Sequence, residues 1–473
     1  MSFATLFLLT PCALFAQTSE QAALQLRESR VALSLALDYE EGSLRGLATF
    51  NILNVSDSPA TEVPFNLNRL MTVQNVRDGQ GAPVAFTQDV VTFSDSPRQQ
   101  VTHVRVSLSV PLEPDSLTRL TLDYSGYLTG YTETGSRYIQ DRIDEEFTIL
   151  RADAYAFPVV GQTSWRANRA APHIPFDFEV SVTLPERFTV ASGGSLVERQ
   201  VDDGLATYVY RSTAAAPFLN IPIAEYGLLK SDGIRVYYFP EDSAGAALLL
   251  DRAQRALALL TDWFGPLGQR PELAVMEIPD GWGSQASLAG GIIQTASAFR
   301  DLSQMRQLYH ELTHLWNAPD TDLPSARWNE GLATYLERRI AAALDGWTGL
   351  DAYAERVAAY LVERLGETSD AAGVSFRRYG DAGLTDYSYS VGFLMFYLLG
   401  ELLGDAAFDQ AIGGYYQSHR ETGGTFEDLI AQIDESSDSD LTRFFEEWVY
   451  TTTWLDQLRS GASVADLLER ARL

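Results

Sequence analysis

Residues 303–344 read SQMRQLYHELTHLWNAPDTDLPSARWNEGLATYLERRIAAAL, and this stretch contains two predicted helices joined by a turn. The first helix carries His310, Glu311 and His314. Four residues at about 100° each bring the two imidazoles to one face, about 40° apart, where both can reach one metal ion. Glu311 can reach a water on that metal without becoming a ligand. The opposite face is apolar at helical spacing and is expected to be buried: Leu302, Met305, Leu308, Leu312 and Leu315.

A third metal ligand is predicted at the start of the second helix. Fifteen residues separate His314 from Glu330, which lies in the segment RWNEG at 327–331. A turn between the helices would return this carboxylate to the two imidazoles. Two histidines, one glutamate and an open position are typical of a catalytic zinc site. The simpler alternative is two histidines that pack or cap a helix. We predict one zinc ion bound by His310, His314 and Glu330.

On either side of this stretch, the chain divides into a β-rich half and a helical half. From about Leu26 to Tyr226, segments such as VALSLALDY at 31–39 alternate apolar and polar residues and end at turn-forming residues. After Gly233, two strands flank an amphipathic helix, and helices dominate from Ser303 onward. We predict a multidomain α+β protein whose segments are a signal peptide at 1–17, an antiparallel β-sandwich or saddle domain at 18–228, a mixed α/β-to-helical domain at 229–455 and a short helical extension at 456–473.

Composition restricts the partners. The 473 residues include 35 Lys and Arg against 63 Asp and Glu, a net charge of −28. Such a surface repels phosphate backbones and anionic lipids, so neither nucleic acid nor a membrane surface is a predicted partner. The single cysteine, Cys12, lies in the apolar stretch Met1–Gln17, which is typical of a secretory signal with cleavage after Ala16. A disordered apolar terminus is the alternative. The predicted location is secreted or periplasmic, and no later segment is apolar enough to span a bilayer.

The motif HELTHLW followed by WNEGLATYLE resembles the zinc-binding signature of the aminopeptidase N-type family, gluzincins that include membrane alanyl aminopeptidase and leukotriene hydrolase. The family has a longer spacing between the second His and the Glu. The resemblance covers about residues 30–455 and implies a thermolysin-like catalytic domain after the β domain. The segment YSVGF, which begins at Tyr389, resembles the family's Tyr-x-x-Gly helix. By that resemblance Tyr389 would donate a hydrogen bond to the oxyanion; a tyrosine packed in the core is the alternative.

One segment departs from the family pattern. Aminopeptidases of the family carry Gly-x-Met-Glu-Asn upstream of the zinc helix, and its Glu holds the substrate's α-amine. The corresponding stretch 281–300, GWGSQASLAGGIIQTASAFR, contains no acidic residue. Gly290 and Gly291 are predicted to lie in an edge strand that pairs with a peptide backbone. A buried ammonium needs an opposite charge, for which Glu277 or Asp280 are candidates.

The predicted function is that of a secreted zinc metallopeptidase that hydrolyses extended peptides, with Glu311 as general base and Tyr389 as electrophile. Glu337, two turns after Glu330, is predicted to hold the second ring nitrogen of a metal-bound histidine; a solvated surface glutamate is the alternative for this residue. Two other functions stay open, a true aminopeptidase with an unrecognised acidic anchor and a non-catalytic peptide-binding module. The oligomeric state is left open, and no role is assigned to His103, His173 and His419.

Overall fold

The computed structural model describes residues 25–130, 142–164, 167–168, 175–268, 272–281, 284–287, 289, 291–367, 371–437 and 440–472. The predicted signal segment Met1–Gln17 with Cys12, and also His173 and Gly290, lie outside these residues. The α+β class is confirmed, since strands fill the first half of the described chain and helices dominate the second.

Alternating apolar residues form the strands of the first half, as in β1, where Val31, Leu33, Leu35 and Leu37 are buried. These strands are β1 (Leu26–Asp38), β2 (Ser43–Asn54), β3 (Ala60–Asn68), β4 (Met71–Asp78), β5 (Phe86–Phe93), β6 (Ser96–Leu112), β7 (Leu117–Tyr127), β8 (Thr148–Arg151), β9 (Val159–Val160), β10 (Asp177–Pro185), β11 (Thr189–Val190), β12 (Ser195–Asp202), β13 (Leu205–Arg211) and β14 (Asn220–Ala224).

The strands of this half form three sheets, with the orders β12-β13-β10-β1-β2-β7-β4, β5-β6-β3-β9 and β11-β14-β8. The two larger sheets pack face to face, and Phe50 of β2 contacts Phe65 of β3 with ring centroids 5.1 Å apart. Pairing among the described strands of this first half is antiparallel as predicted, except that β1 and β10 run parallel. A parallel pair cannot be joined by a tight hairpin, and more than a hundred residues of chain separate these two strands.

The second half begins with a five-stranded sheet of order β15-β16-β17-β19-β18. Its central strands are parallel and its two edge strands antiparallel. Its strands are β15 (Gly227–Ser231), β16 (Ile234–Tyr238), β17 (Leu273–Ile278), β18 (Gln285–Ser287) and β19 (Gly291–Thr295). The predicted amphipathic helix is present as α1 (Ser243–Phe264), and its buried face, which includes Leu249 and Leu260, packs in the core of this half.

Helices complete the second half around one apolar core. They are α2 (Ser297–Arg300), α3 (Arg306–Thr313), α4 (Trp328–Asp345), α5 (Leu350–Glu367), α6 (Tyr379–Ala382), α7 (Ser388–Leu403), α8 (Asp405–His419), α9 (Phe426–Glu435), α10 (Thr442–Phe445), α11 (Thr453–Arg459) and α12 (Val464–Ala471), with a π-helical turn at Glu446–Tyr450. None of the helices described is long and apolar enough to cross a membrane.

The two halves contact each other behind the edge strand β18. Tyr226 and Met276 belong to an apolar cluster shared between them. The Asn220 side-chain amide donates to Gln285 Oε1 at 2.9 Å, and Gly194 N donates to the Ala289 carbonyl at 2.8 Å. The N-terminal half therefore supports the outer strand of the second sheet.

Candidate active site

Helix α3 presents the two histidines. It ends at Thr313, and the chain continues as a 3-10 turn from His314 to Trp316. The imidazole centroids of His310 and His314 lie 4.9 Å apart. The apolar residues of the opposite face are buried as predicted, apart from Leu302. Its side chain is 47% exposed because it belongs to a separate 3-10 turn, Leu302–Gln304, before the helix.

The loop between α3 and α4 is held at several points, which fixes where Glu330 returns. Asp320 accepts hydrogen bonds from Asp322 N at 2.9 Å and from the Ser325 hydroxyl. Ser325 Oγ in turn accepts from Arg327 N at 2.9 Å. At its far end, the Ser388 hydroxyl of α7 donates to the Ala326 carbonyl at 2.6 Å. Because the loop is pinned in this way, the shorter spacing noted in the sequence still returns Glu330 to the histidines.

His310, His314 and Glu330 form one group of ligand atoms, all within 4.8 Å of one another. Glu330 Oε2 lies 3.3 Å from His310 Nε2 and 3.4 Å from His314 Nε2. Two ligands of a tetrahedral zinc ion with bonds of about 2.05 Å lie about 3.3 Å apart. The measured spacing and the N, N, O donor set therefore fit zinc, the cofactor of this site.

The charges of this cluster support one another. Burial opposes ionisation of Glu330, but the two imidazoles and the Arg327 guanidinium hold the pKa of its carboxyl well below the usual range. Burial by itself lowers the pKa of His310, yet contacts with Glu330 and Glu337 raise it above the ordinary value. The site thus keeps negative charge beside the ring nitrogens, which favours a bound cation.

Each histidine has a partner for its second ring nitrogen. His310 Nδ1 lies 3.0 Å from Glu337 Oε2, and Glu337 is buried and paired with Arg338, unlike a solvated surface residue. His314 Nδ1 lies 2.8 Å from the Asn317 side-chain amide. If Nε2 binds a metal, Nδ1 carries the proton, so the oxygen of that amide must face the ring. Both contacts fix the ring orientations.

Glu311 and Tyr389 lie on the open side of the ligand group. Burial raises the pKa of the Glu311 carboxyl, while the neighbouring His310 and His314 act in the opposite direction. The Tyr389 ring stacks on His310 with centroids 5.9 Å apart and planes 14° apart. Burial and the charge of Glu330 raise the pKa of Tyr389 above its ordinary value, so its hydroxyl keeps its proton and can donate.

A cleft of about 560 Å³ opens in front of these groups. Most of the residues that line it carry polar side chains, and they are Asp280, Gly281, Ser284, Thr295, Ser297, Gln307, His310, Glu311, Glu337 and Tyr389. Such a cleft suits hydrogen bonding to a polar chain better than burial of a large apolar ligand.

The prediction that Gly291 lies in an edge strand is wrong. Gly291 begins β19, which runs between β17 and β18, and it is paired directly with Ser287 of β18. Both sides of β19 are therefore occupied by strands of the protein. The edge is β18, Gln285–Ser287, and sequence analysis missed it because three residues give too short a pattern to identify a strand.

The two candidate anchors occupy different places. Glu277 is fully buried, accepts from Phe239 N at 2.6 Å and does not line the cleft. Asp280 lines the cleft, and its side chain is 53% exposed. Its Oδ1 accepts from Ser297 N at 2.8 Å, whereas Oδ2 lies 3.9 Å from Arg300 Nη1. Asp280 alone of the two candidates offers a carboxylate to a ligand.

Asn317 and Arg327 were missed by sequence analysis. Each lies three residues from a metal ligand, Asn317 after His314 and Arg327 before Glu330. That spacing places side chains on the same face of a helix, and it was the available signal. It could not have shown that Asn317 lies just past the 3-10 turn that ends the first motif, or that Arg327 lies just before the start of α4.

Comparisons with known proteins agree with this geometry. A model of the peptidase family M1 domain matches residues 292–448. Aminopeptidase M1-B of Oryza sativa subsp. japonica is 24% identical over 304 residues, which are 59% of this chain and 34% of that protein. Probable aminopeptidase 2 of Sulfurisphaera tokodaii is 22% identical over 298 residues, 58% of this chain and 38% of its own. The matched regions thus span little more than a third of these curated relatives.

Solved structures match over a larger share of the chain. The crystal structure of the M1 zinc metallopeptidase from Deinococcus radiodurans has a TM-score of 0.68 at 21% identity and covers 90% of this chain and 93% of its own. A mutant of that protein bound to a Tyr-Ser-Ala substrate has a TM-score of 0.65 at 20% identity, with 90% and 94% covered. The similarity to these structures concerns the fold. The chain is therefore similar to the M1, aminopeptidase N-type, gluzincins in the domain at 292–448 and in its overall fold.

Proposed function

We propose that the protein is a zinc-dependent metallopeptidase that hydrolyses peptide bonds. The observation that carries this proposal is the convergence of His310, His314 and Glu330 within 4.8 Å, beside a cleft lined by Glu311 and Tyr389. The apolar segment at 1–17 supports export as part of the proposal. The matched regions cover less than half of each curated relative. The activity of those relatives therefore extends to this chain as a proposal.

A zinc ion, when bound, supplies Lewis acidity that polarises a carbonyl and makes water easier to deprotonate. The other steps belong to the chain. The Glu311 carboxylate takes the proton from the attacking water and then delivers it to the leaving amine. The Tyr389 hydroxyl donates a hydrogen bond to the carbonyl oxygen as negative charge develops there. Glu337 and Asn317 keep the imidazoles oriented throughout.

The experiment compares the wild-type protein with Glu311→Gln, using metal analysis and a screen of internally quenched peptides. We expect both proteins to bind one zinc ion and the variant to lose activity by about 10²–10⁴-fold, the usual contribution of a general base. Glu363→Gln, an exposed glutamate on α5, is the matched control and should be fully active. A wild-type protein with stoichiometric zinc and no hydrolysis would favour the non-catalytic binding module.

Aminopeptidase specificity is the second candidate, favoured by the exposed carboxylate of Asp280 in the cleft. An α-ammonium in the cleft would need that charge to compensate for lost hydration. The test compares a peptide with its N-acetylated twin in the wild type and in Asp280→Asn. If Asp280 binds the amine, the acetylated peptide is a poor substrate, and Asp280→Asn loses its preference for the free amine. Equal hydrolysis of both peptides by the wild type would identify an endopeptidase.

A further inference from the structure

Arg327, the residue before α4, has an uncommon backbone conformation. Its φ of 54° and ψ of 41° lie in the left-handed region, which the Cβ of an L-residue disfavours. Such a conformation persists where the surroundings hold it, and it concentrates at functional sites. Here the amide of Arg327 is held by Ser325 Oγ at 2.9 Å, and its carbonyl accepts from Glu330 N at 3.1 Å. The backbone is thus fixed so that the side chain turns back toward the metal ligands.

The guanidinium of Arg327 divides the two oxygens of Glu330 between different partners. Its Nη2 donates to Oε1. The other oxygen, Oε2, faces the Nε2 atoms of His310 and His314 at 3.3 and 3.4 Å. With Oε1 occupied by a charge-assisted hydrogen bond, one oxygen is free to bind a metal ion. Ligation through a single oxygen keeps a position open on the ion for water and substrate.

The same guanidinium faces the predicted electrophile. Its Cζ lies 5.9 Å from the centroid of the Tyr389 ring, which itself stacks on His310. The Arg327 side chain is 33% exposed, so it reaches the cleft from the outer edge of the ligand group. Arg327 therefore contacts the metal ligand Glu330 and also lies next to Tyr389.

We propose that Arg327 is a positioning residue of the metal centre, which restricts Glu330 to one-oxygen ligation and aligns Tyr389 over the cleft. This inference rests on the proposed function, because it requires that the three ligands bind a metal ion. It assigns to Arg327 two measurable effects, one on zinc affinity and one on turnover.

The test uses Arg327→Ala, Arg327→Gly and Arg327→Lys in the full chain, with Arg378→Ala as the control. Arg378 is an exposed arginine paired with Asp381 at 3.6 Å. Zinc affinity is measured by competition with a chromogenic chelator, kcat and KM with a peptide substrate, and Tm by calorimetry. We expect zinc binding about 10–100-fold weaker in the Ala and Gly variants, as for other groups that orient metal ligands. We also expect lower kcat with KM little changed.

The glycine variant separates positioning from folding. Glycine adopts the left-handed conformation without strain, so Arg327→Gly should melt no lower than Arg327→Ala while still binding zinc weakly. Arg327→Lys keeps a charge without the planar fork and should recover part of the affinity. If the glycine variant has wild-type zinc affinity and kcat, the inference about Arg327 is overturned and the proposed function stands. A wild-type protein that binds no zinc would overturn the proposed function itself, and this inference with it.

Discussion

Tyr389 shows how a residue in an apolar helix can serve chemistry. The residues that follow it in α7, from Val391 to Leu399, are buried, but Tyr389 itself is 36% exposed and lines the cleft. In sequence this tyrosine is one aromatic residue among many. Its position on the open side of the histidines distinguishes it from a core residue.

The first prediction concerns Tyr389→Phe, which removes the hydroxyl and keeps the ring that stacks on His310. We expect kcat to fall by about 10²–10³-fold, as for other oxyanion donors, with zinc content and KM unchanged. Steady-state kinetics on a peptide substrate would measure this effect. Tyr360→Phe, at another exposed tyrosine, should behave as the wild type. An unchanged kcat in Tyr389→Phe would show that the tyrosine serves packing alone.

The ligand residues could be predicted from sequence because the chemistry depends on local spacing. His310 and His314 are one helical turn apart, and Glu330 follows in a helix start that the sequence marks clearly. The edge-strand prediction for Gly291 was wrong because the pairing of Gly291 depends on β18, a strand of only three residues. Asp280 and Glu277 could not be ranked, because burial of a side chain after a strand is set by the elements packed on it.

At the scale of elements, α4 and α7 approach unusually closely. A Cβ built on Gly331 would lie 2.4 Å from Gly392 Cα. Gly331 directly follows Glu330, so the close contact of α4 with α7 determines the position of this metal ligand relative to the two histidines. Helices can come this near where both carry a residue without a side chain.

The second prediction concerns Gly331→Ala. The added methyl must push α4 away from α7, and such overpacking costs about 1–3 kcal/mol in the free energy of unfolding. Because Glu330 moves with α4, zinc affinity should fall as well. Chemical denaturation and chelator competition would measure the two effects. Gly373→Ala, where the added Cβ meets nothing within 4 Å, is the control. If Gly331→Ala binds zinc as tightly as the wild type, the crossing does not position Glu330.

A second element-scale feature is the carboxyl group buried where β17 meets α2. As a carboxylate, Glu277 Oε1 has no donor, but in its protonated form it can donate to Asp242. Burial, helped by Asp242, raises the pKa of Glu277 to about 9. Arg300 holds Asp242 by hydrogen bonds to both oxygens and lowers the pKa of that carboxyl. The pair therefore shares one proton at neutral pH.

The third prediction is a change of stability with pH. In the unfolded chain Glu277 loses its proton near its ordinary pKa of about 4.3, whereas the native state retains it up to about pH 9. The free energy of unfolding therefore decreases across this window as pH rises. Glu277→Gln removes the titrating group, so its decrease should be smaller. Denaturant titrations at several pH values would measure the slopes, with Glu363→Gln as control. Identical slopes in Glu277→Gln and the wild type would refute the raised pKa.

At the scale of the whole molecule, the two-part α+β architecture followed from patterning, since period-two alternation and helical periodicity occupy separate halves of the sequence. What patterning could not supply was the pairing of β1 with β10, which are far apart in the chain and parallel. Such long-range pairing depends on the whole sheet closing over the core residues around Phe50 and Phe65.

The fourth prediction concerns metal removal. The ligands come from α3 and α4, which contribute to one large apolar core with the other helices. Binding to the native state alone stabilises it by about 2.7 kcal/mol at a hundredfold excess over the dissociation constant. Chelation should therefore lower Tm, and added zinc should restore it in a concentration-dependent manner. Calorimetry with and without chelator would measure the shift. Glu330→Gln should respond weakly to both treatments, and a wild type indifferent to chelation would contradict the prediction.

The hydrogen bonds from Asn220 to Gln285 and from Gly194 to Ala289 mean that the β-rich half holds the segment that directly follows Ser284 of the cleft. A fragment that begins at β15 would lack the first half, so the apolar cluster around Met276 would be exposed to water. Its edge strand β18 would also lose the contacts that the first half makes with it. A shortened version of this protein must therefore retain the β-rich half, because the catalytic half depends on it for stability.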